Sequence, residues 1–433
     1  MGFILSLTGG AIGLGNAWKF PTMVGQNGGS AFILIFILFC LSIGLVLFLA
    51  EMMLGKSTRD NLANSYFKTA KFYPKYMKFG AIAMLSGIFV LSFYLIILSW
   101  VFQYLFYSFS LPNTNDKALE LFKNAVSSNV KINILCFLFC LFCTLYFVKK
   151  GIVLGIERLN VVLMPLLCLI MIFLLFYSIS EGAFVKAIKF IFYPDFSKLN
   201  FKSILDALGL SLFTLCLGIG CISTYAANSQ EDTNILKASL LVIFLNITIG
   251  LLMAVVVFAF AFLSDENLLN DAALVFVSLN VLFSKLGLIG NILAFLFFLA
   301  LFFAGITSAV SMIEPFTFYL EKKIGRNKSI LYIGIIVFIL GLSCIFSMCN
   351  IIKIDVFYIL DFLTSNIMLP VGVFFTSIFL GFFANKIIFI KILRKFMKKR
   401  LIFLYFTFVK YICPIIIILV FINNFYPLSK LLN

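Results

Sequence analysis

The chain is 433 residues long, 63% hydrophobic and only 12% charged, with 56 phenylalanines and a mean hydropathy of +1.15. This excludes a soluble globular domain, because apolar runs of about 20 residues are membrane helices and not core segments. The 33 Lys and Arg against 17 Asp and Glu leave a net charge of +16. That excess reads as a topology signal with some attraction to anionic lipid, not as a nucleic-acid-binding surface. Histidine is absent, which removes the commonest general base and most hydrolytic mechanisms.

Taken in chain order, the apolar runs predict an all-α polytopic membrane protein with eleven spans. They cover about 3–20, 31–54, 80–109, 132–148, 159–179, 204–225, 238–263, 286–320, 329–348, 356–383 and 401–425. A further apolar piece, 272–284, follows the acidic stretch at Ser264, Asp265 and Glu266; it is too short to cross and is expected to be a re-entrant or capping loop. Basic residues gather in alternate loops, at 56–78, 149–158, 237, 322–328 and 386–400. Because Lys and Arg are retained in the cytoplasm, the N-terminus is expected inside and the C-terminus outside a bacterial inner membrane. Met1 leads straight into the first span, so no cleavable signal peptide is expected. Cys140 and Cys143 form a C-x-x-C inside an apolar run without a second pair, and read as packing residues, not a zinc or redox site.

Two spans are broken by glycine. Gly9-Gly10-Ala11-Ile12-Gly13-Leu14-Gly15-Asn16 interrupts the first and Phe213-Thr214-Leu215-Cys216-Leu217-Gly218-Ile219-Gly220 the sixth, sharing the small pattern Ile-Gly-Leu-Gly and Leu-Gly-Ile-Gly. Unwound backbone survives in a bilayer only where protein or a water-filled cavity satisfies its polar groups. One such segment alone reads as close helix packing through small residues. Paired interruptions in corresponding segments point to an internal repeat and a transporter's central site. Free carbonyls plus the Asn16 side-chain oxygen suit a small hard cation, and the half-helix starting near Asn16 aims its positive end at the same spot, where a carboxylate would be held.

Gly9 to Asn16 continuing through Ala17-Trp18-Lys19-Phe20-Pro21, then Asn27-Gly28-Gly29 and Glu51-Met52-Met53-Leu54-Gly55, resembles the opening of the neurotransmitter:sodium symporters. The resemblance recurs at Tyr94 to Trp100, Phe213 to Tyr225, Phe303 to Ser308 and Asp361, and so covers nearly the whole chain. It implies one membrane transport domain over 1–433: two inverted five-helix repeats, 1–179 and 204–383, with unwound first and sixth helices, and an extra helix at 401–425. It also implies a sodium-coupled symporter, without enzymatic chemistry, that imports a neutral and hydrophobic amino acid by alternating access. An amino-acid-sensing membrane receptor that binds without transporting is the alternative from another class.

Carried over by position, the resemblance implies two sodium sites. The first takes Ala11 through its carbonyl, Asn16, Thr214, Asn246 and the substrate carboxylate. The second takes the carbonyls of Gly9, Ile12 and Ala304 with the hydroxyls of Thr307 and Ser308. Neutral oxygens suit an alkali cation, whereas divalent ions favour carboxylates; hydroxyls bonding back to their own helix are the plainer alternative for Thr307 and Ser308. The implied substrate pocket is Gly10, Ala11, Leu14, Gly15, Val90, Tyr94, Phe213, Thr214, Cys216, Ile219, Ser308 and Met312. Gly13 stands where the family's monoamine carriers place an aspartate, so the substrate is expected to bring its own carboxylate. Lys19 and Asp361 match the outer gate pair. Glu51 is expected to be structural, and Asp206, Glu314 and Lys410 to snorkel near span ends.

Three departures bear on this. Gly250 replaces the serine or acid that handles chloride in relatives, which leaves chloride dependence open. Leu210 replaces a glutamine that supports the outer gate. Only eight residues precede Gly9, about 12 Å of helix against about 15 Å for half a hydrocarbon core, so the basic cytoplasmic arm is missing and Met1 reads as a candidate internal start.

Overall fold

The computed structural model describes residues 2–180, 182–262 and 274–431. Within them, nine continuous helices are long and apolar enough to cross a bilayer. These are α3 (Ser30–Thr58), α4 (Pro74–Tyr107), α5 (Val130–Lys149), α6 (Ile152–Ile179), α9 (Ile235–Ala261), α10 (Gly287–Ile324), α11 (Arg326–Met348), α12 (Val356–Phe383) and α13 (Lys399–Ile422). The two spans without a continuous counterpart are the glycine-broken ones. The first is split into α1 (Gly2–Ala11) and, after a wide turn at Gly15–Lys19, α2 (Phe20–Gln26). The second is split into α7 (Phe201–Thr214) and α8 (Cys221–Ala227).

Side-chain caps set several helix starts, each using an Asn or Asp oxygen to take up a free backbone N–H. Asn129 accepts from Ile132, Asn200 from Ser203, Asn234 from Lys237 and Asp355 from Tyr358. The broken helices lie at the centre, α1 against α6, α9 and α10, and α8 against α3 and α10. Helices α5 and α6 turn Leu135, Phe142, Leu169 and Phe176 outward, toward what is acyl chain in a multi-pass membrane protein. The piece expected as a re-entrant loop is helical over Leu274–Lys285 and packs on α9 and α10. The preceding acidic stretch, 264–266, lies outside the described residues.

The basic loops meet on one face of the molecule. Asp60 pairs with Lys68 at 2.7 Å and with Lys322; Arg59 donates to the Ser229 carbonyl; Arg326 reaches the Val148 carbonyl. The backbone of 69–71 bonds that of 383–385. Burial raises the Asp60 pKa, but donors from Lys322 and Lys68 outweigh it and hold the carboxyl well below the usual range. The network is therefore complete at neutral pH and fails only as pH falls below the ordinary carboxylate value.

Glu314 departs from expectation. Helix α10 continues to Ile324, which leaves this residue fully buried instead of snorkelling, its charge met by Arg326 at 2.6 Å. Lys410 rests over the rings of Phe382 and Tyr411.

The second break is held by Glu51. Its Oε1 accepts the Gly218 N–H at 2.7 Å, and both groups are buried. Gly218 has φ +84°, and a Cβ there would lie 2.6 Å from the Leu369 carbonyl oxygen; no other residue fits. Glu51→Ala leaves a buried N–H unpaired and is expected to cost about 1–3 kcal/mol, whereas Glu51→Gln keeps an acceptor and loses less. Thermal unfolding in detergent measures both, and equal losses would contradict a hydrogen-bonding role.

Candidate functional site

The two unwound segments face each other. The Cys216 thiol, at a residue with φ +51°, donates to the Gly10 carbonyl at 2.8 Å and ties the second break to the first. Between them a cavity is lined by Gly10, Ala11, Gly13, Gly15, Val90, Tyr94, Phe213, Thr214, Cys216, Ile219, Ser308, Met312 and Leu369. Every residue of the expected substrate pocket except Leu14 is in that lining. Leu14 joins it through its N–H, which donates to the Tyr94 hydroxyl at 3.1 Å. Leu369 is an addition that no sequence motif marked.

Gly13 is crowded from two sides. A Cβ on it would stand 2.4 Å from Ser308 Oγ and 2.9 Å from the Tyr94 hydroxyl. The hydrogen at this position lets α10 and α4 press their hydroxyls against the unwound backbone.

Two oxygen clusters flank the cavity. Ser308 Oγ lies 2.9 Å from the Gly9 carbonyl oxygen and 3.2 Å from that of Ile12, while Thr307 Oγ1 lies 3.0 Å from that of Ala304. One hydroxyl hydrogen cannot serve the several carbonyls around Ser308, so this group has more acceptors than donors. In the other cluster Asn16 Nδ2 donates to Asn246 Oδ1 at 2.7 Å, and Asn246 Nδ2 reaches Thr214 Oγ1 at 3.5 Å. All three side chains are buried. With its nitrogen engaged, Asn16 has its oxygen as the group left to accept. Ala11, the remaining residue expected here, is buried at the end of α1.

Above the cavity opens a vestibule of about 250 Å³ lined by Leu14, Gly15, Trp18, Lys19, Tyr94, Phe213, Phe357 and Asp361 among others. Lys19 and Asp361 both reach it, but among the described residues they form no ion pair. Lys19 Nζ instead sits 4.4 Å from the Phe213 ring centroid, and Asp361 accepts from Ser365 at 2.9 Å. The expected gate contact is therefore absent because each partner is engaged on its own wall of an open vestibule. Around Gly250, the nearest atoms to an added side chain belong to the Phe20 ring, 3.8 Å away, and that ring packs on Phe36 at 4.9 Å between centroids. Asp206 lines the neighbouring cleft with Lys19 and Leu210.

Two contacts went unforeseen. Glu51 was legible as structural but not as the clamp on Gly218, and the Tyr225 hydroxyl donates to Ser311 Oγ at 2.7 Å, joining α8 to α10. Neither has a local signal, since each partner lies far off in sequence.

Two broken helices meeting at a buried cavity, with a vestibule on one side, form the architecture of a membrane carrier with a central site. The model of the sodium:neurotransmitter symporter family matches residues 1–115 and 115–432. The chain is 31% identical over 436 residues to the sodium-dependent transporter YhdH of Bacillus subtilis, covering 98% of this chain and 96% of that one. A sodium-dependent transporter of Haemophilus influenzae is 27% identical over 98% and 96%. The crystal structure of MhsT in complex with L-phenylalanine superposes with a TM-score of 0.88 at 29% identity, over 98% of both chains. The chain belongs to the sodium:neurotransmitter symporter family. It is a sodium-dependent, multi-pass membrane transporter and not an enzyme.

Gly13→Ala pushes Ser308 off the α1 carbonyls. Sodium is expected to raise the melting temperature of the parent protein, and the variant is expected to lose most of that rise. An unchanged sodium-induced rise would separate Gly13 from ion binding.

Proposed function

We propose that this transporter imports a neutral, hydrophobic amino acid together with two sodium ions, entering from outside and released to the cytoplasm. The observation that carries the reading is the environment of Gly13: no side chain, two hydroxyls and the Leu14 N–H around one point, and no acid in the cavity lining. With no Asp or Glu in the lining, a carboxylate held in this cavity would be the substrate's own. The apolar lining from Val90, Phe213, Ile219 and Met312 favours an uncharged side chain. MhsT, with L-phenylalanine in its crystal structure, supports the amino-acid class.

The ions divide by chemistry. Asn16, Thr214, Asn246 and the Ala11 carbonyl serve the first sodium, which the substrate carboxylate completes. Gly9, Ile12, Ala304, Thr307 and Ser308 serve the second through neutral oxygens. On substrate entry, Lys19 leaves Phe213 and closes toward Asp361. Two inverted repeats, 1–179 and 204–383, account for the paired breaks at the shared site, and the basic face carrying Asp60 and Lys322 lies in the cytoplasm of a bacterial inner membrane.

Because one carboxylate belongs to both ligands, sodium and amino acid bind cooperatively and reciprocally. Purified protein is expected to bind labelled L-phenylalanine or L-leucine in sodium and not in potassium; equal binding in both would overturn the shared site. Gly13→Asp places a second carboxylate about 4 Å from the first, a repulsion of roughly 4 kcal/mol at an effective dielectric constant of 20. Amino-acid binding should then collapse. Normal affinity in that variant would remove the substrate carboxylate from this position.

A further inference from the structure

A cavity of about 540 Å³ lies away from the central site, between the short helix Lys386–Leu393 and the start of α13. Four cations line it, Lys386, Arg394, Lys399 and Lys410, and no acid does. Among the described residues none of the four takes part in an ion pair. Like charges gathered without a counter-charge repel one another: burial, and after it the Lys410 charge, pushes the Lys386 ammonium below its ordinary value. An anion seated among them removes that repulsion.

The cations fall into two pairs. Lys386 Nζ lies 5.7 Å from the Phe406 ring centroid, one helical turn from Lys410, while Arg394 and Lys399 flank the turn that joins the short helix to α13. Lys386 and Arg394 stand two helical turns apart, so the pairs are separated by about 12 Å, with Ile390 between them. Their depth follows from α12. It ends at Phe383 beside Lys410, since a Cβ on Gly381 would stand 2.9 Å from the Lys410 Cα. Residues 399–410 of α13, about 16 Å of helix at 1.5 Å per residue, therefore run past the end of their neighbour, on the face where the backbone of 69–71 bonds that of 383–385. This is headgroup level. Phe403 lines the same cavity and is 73% exposed, and Leu401 and Leu404 beside it are exposed as well. A cationic floor with an apolar rim matches a lipid, which brings both charge and chain, better than a soluble anion.

We propose that this cavity binds an anionic phospholipid carrying two phosphates, the chemistry of cardiolipin, with one phosphate between Lys386 and Lys410 and the other between Arg394 and Lys399. Lys and Arg donate charge-assisted hydrogen bonds to the phosphate oxygens, and Phe403 lies against the acyl chains. The lipid bridges the short helix and α13, so its binding raises thermal stability. The site is independent of what the centre carries.

The test uses the full chain, delipidated in detergent, without sodium or amino acid. Cardiolipin, phosphatidylglycerol and phosphatidylethanolamine are added in turn, and retained lipid is counted by native mass spectrometry beside thermal unfolding. Two paired variants, Lys386→Gln with Lys410→Gln and Arg394→Gln with Lys399→Gln, are each expected to weaken cardiolipin binding about thirtyfold, from about fivefold per basic residue near a membrane surface, and to lose most of the lipid-induced rise in melting temperature. Phosphatidylglycerol, with one phosphate, should bind the parent about as weakly as cardiolipin binds either variant. Lys237→Gln with Lys328→Gln removes two charges from exposed basic loops and should leave cardiolipin binding within about twofold. Equal weakening in that control, or equal affinity of the parent for cardiolipin and phosphatidylglycerol, would overturn the two-phosphate site. Displacement of cardiolipin by an equal concentration of inorganic pyrophosphate would give the cavity to a soluble anion and overturn the lipid. If Lys410→Gln impairs folding, the exposed Arg394 and Lys399 pair still decides the outcome.

Discussion

Backbone amides and carbonyls cannot be left bare in an apolar interior, and this chain unwinds two helices at its buried centre. Everything around the centre answers that constraint. The Gly218 N–H is taken by Glu51, the Gly10 carbonyl by the Cys216 thiol, the Leu14 N–H by Tyr94 and the Gly9 and Ile12 carbonyls by Ser308. More carbonyls converge on Ser308 than one hydroxyl hydrogen can meet, and that surplus of acceptors is what supports the proposed second sodium. Glycine at 13 and 218 then follows from close approach and a positive φ.

The vestibule adds a second balance. Lys19 rests on Phe213, and Asp361 is held by Ser365. A cation over a ring face is worth about 0.5–2 kcal/mol, small enough for the closure of Lys19 toward Asp361 proposed above to displace. On the opposite face Asp60, Lys68 and Lys322 join the loop after α3 to the end of α10. The closed basic face and open vestibule thus belong to one conformation.

Much of this was legible in the residue string. Hydrophobic runs marked the continuous helices to within seven residues at either end, and the paired glycine breaks located the cavity, with Asn16, Thr214, Thr307 and Ser308 brought into the oxygen clusters around it. What could not be read there is whatever depends on long-range approach. Glu314 lies in a helix that runs further than its apolar stretch, so its burial against Arg326 was invisible. The unformed Lys19 and Asp361 contact reflects a conformation, which no motif encodes.

The central claim is that a substrate carboxylate and sodium share one buried site and cross the membrane together. The most direct measurement is uptake of labelled L-phenylalanine and L-leucine into proteoliposomes, with an inward sodium gradient and with potassium in its place. Accumulation above the outside concentration that appears with sodium and collapses with potassium is the predicted result. Sodium-dependent binding with no accumulation under the gradient would contradict it and leave a receptor that holds its amino acid without moving it.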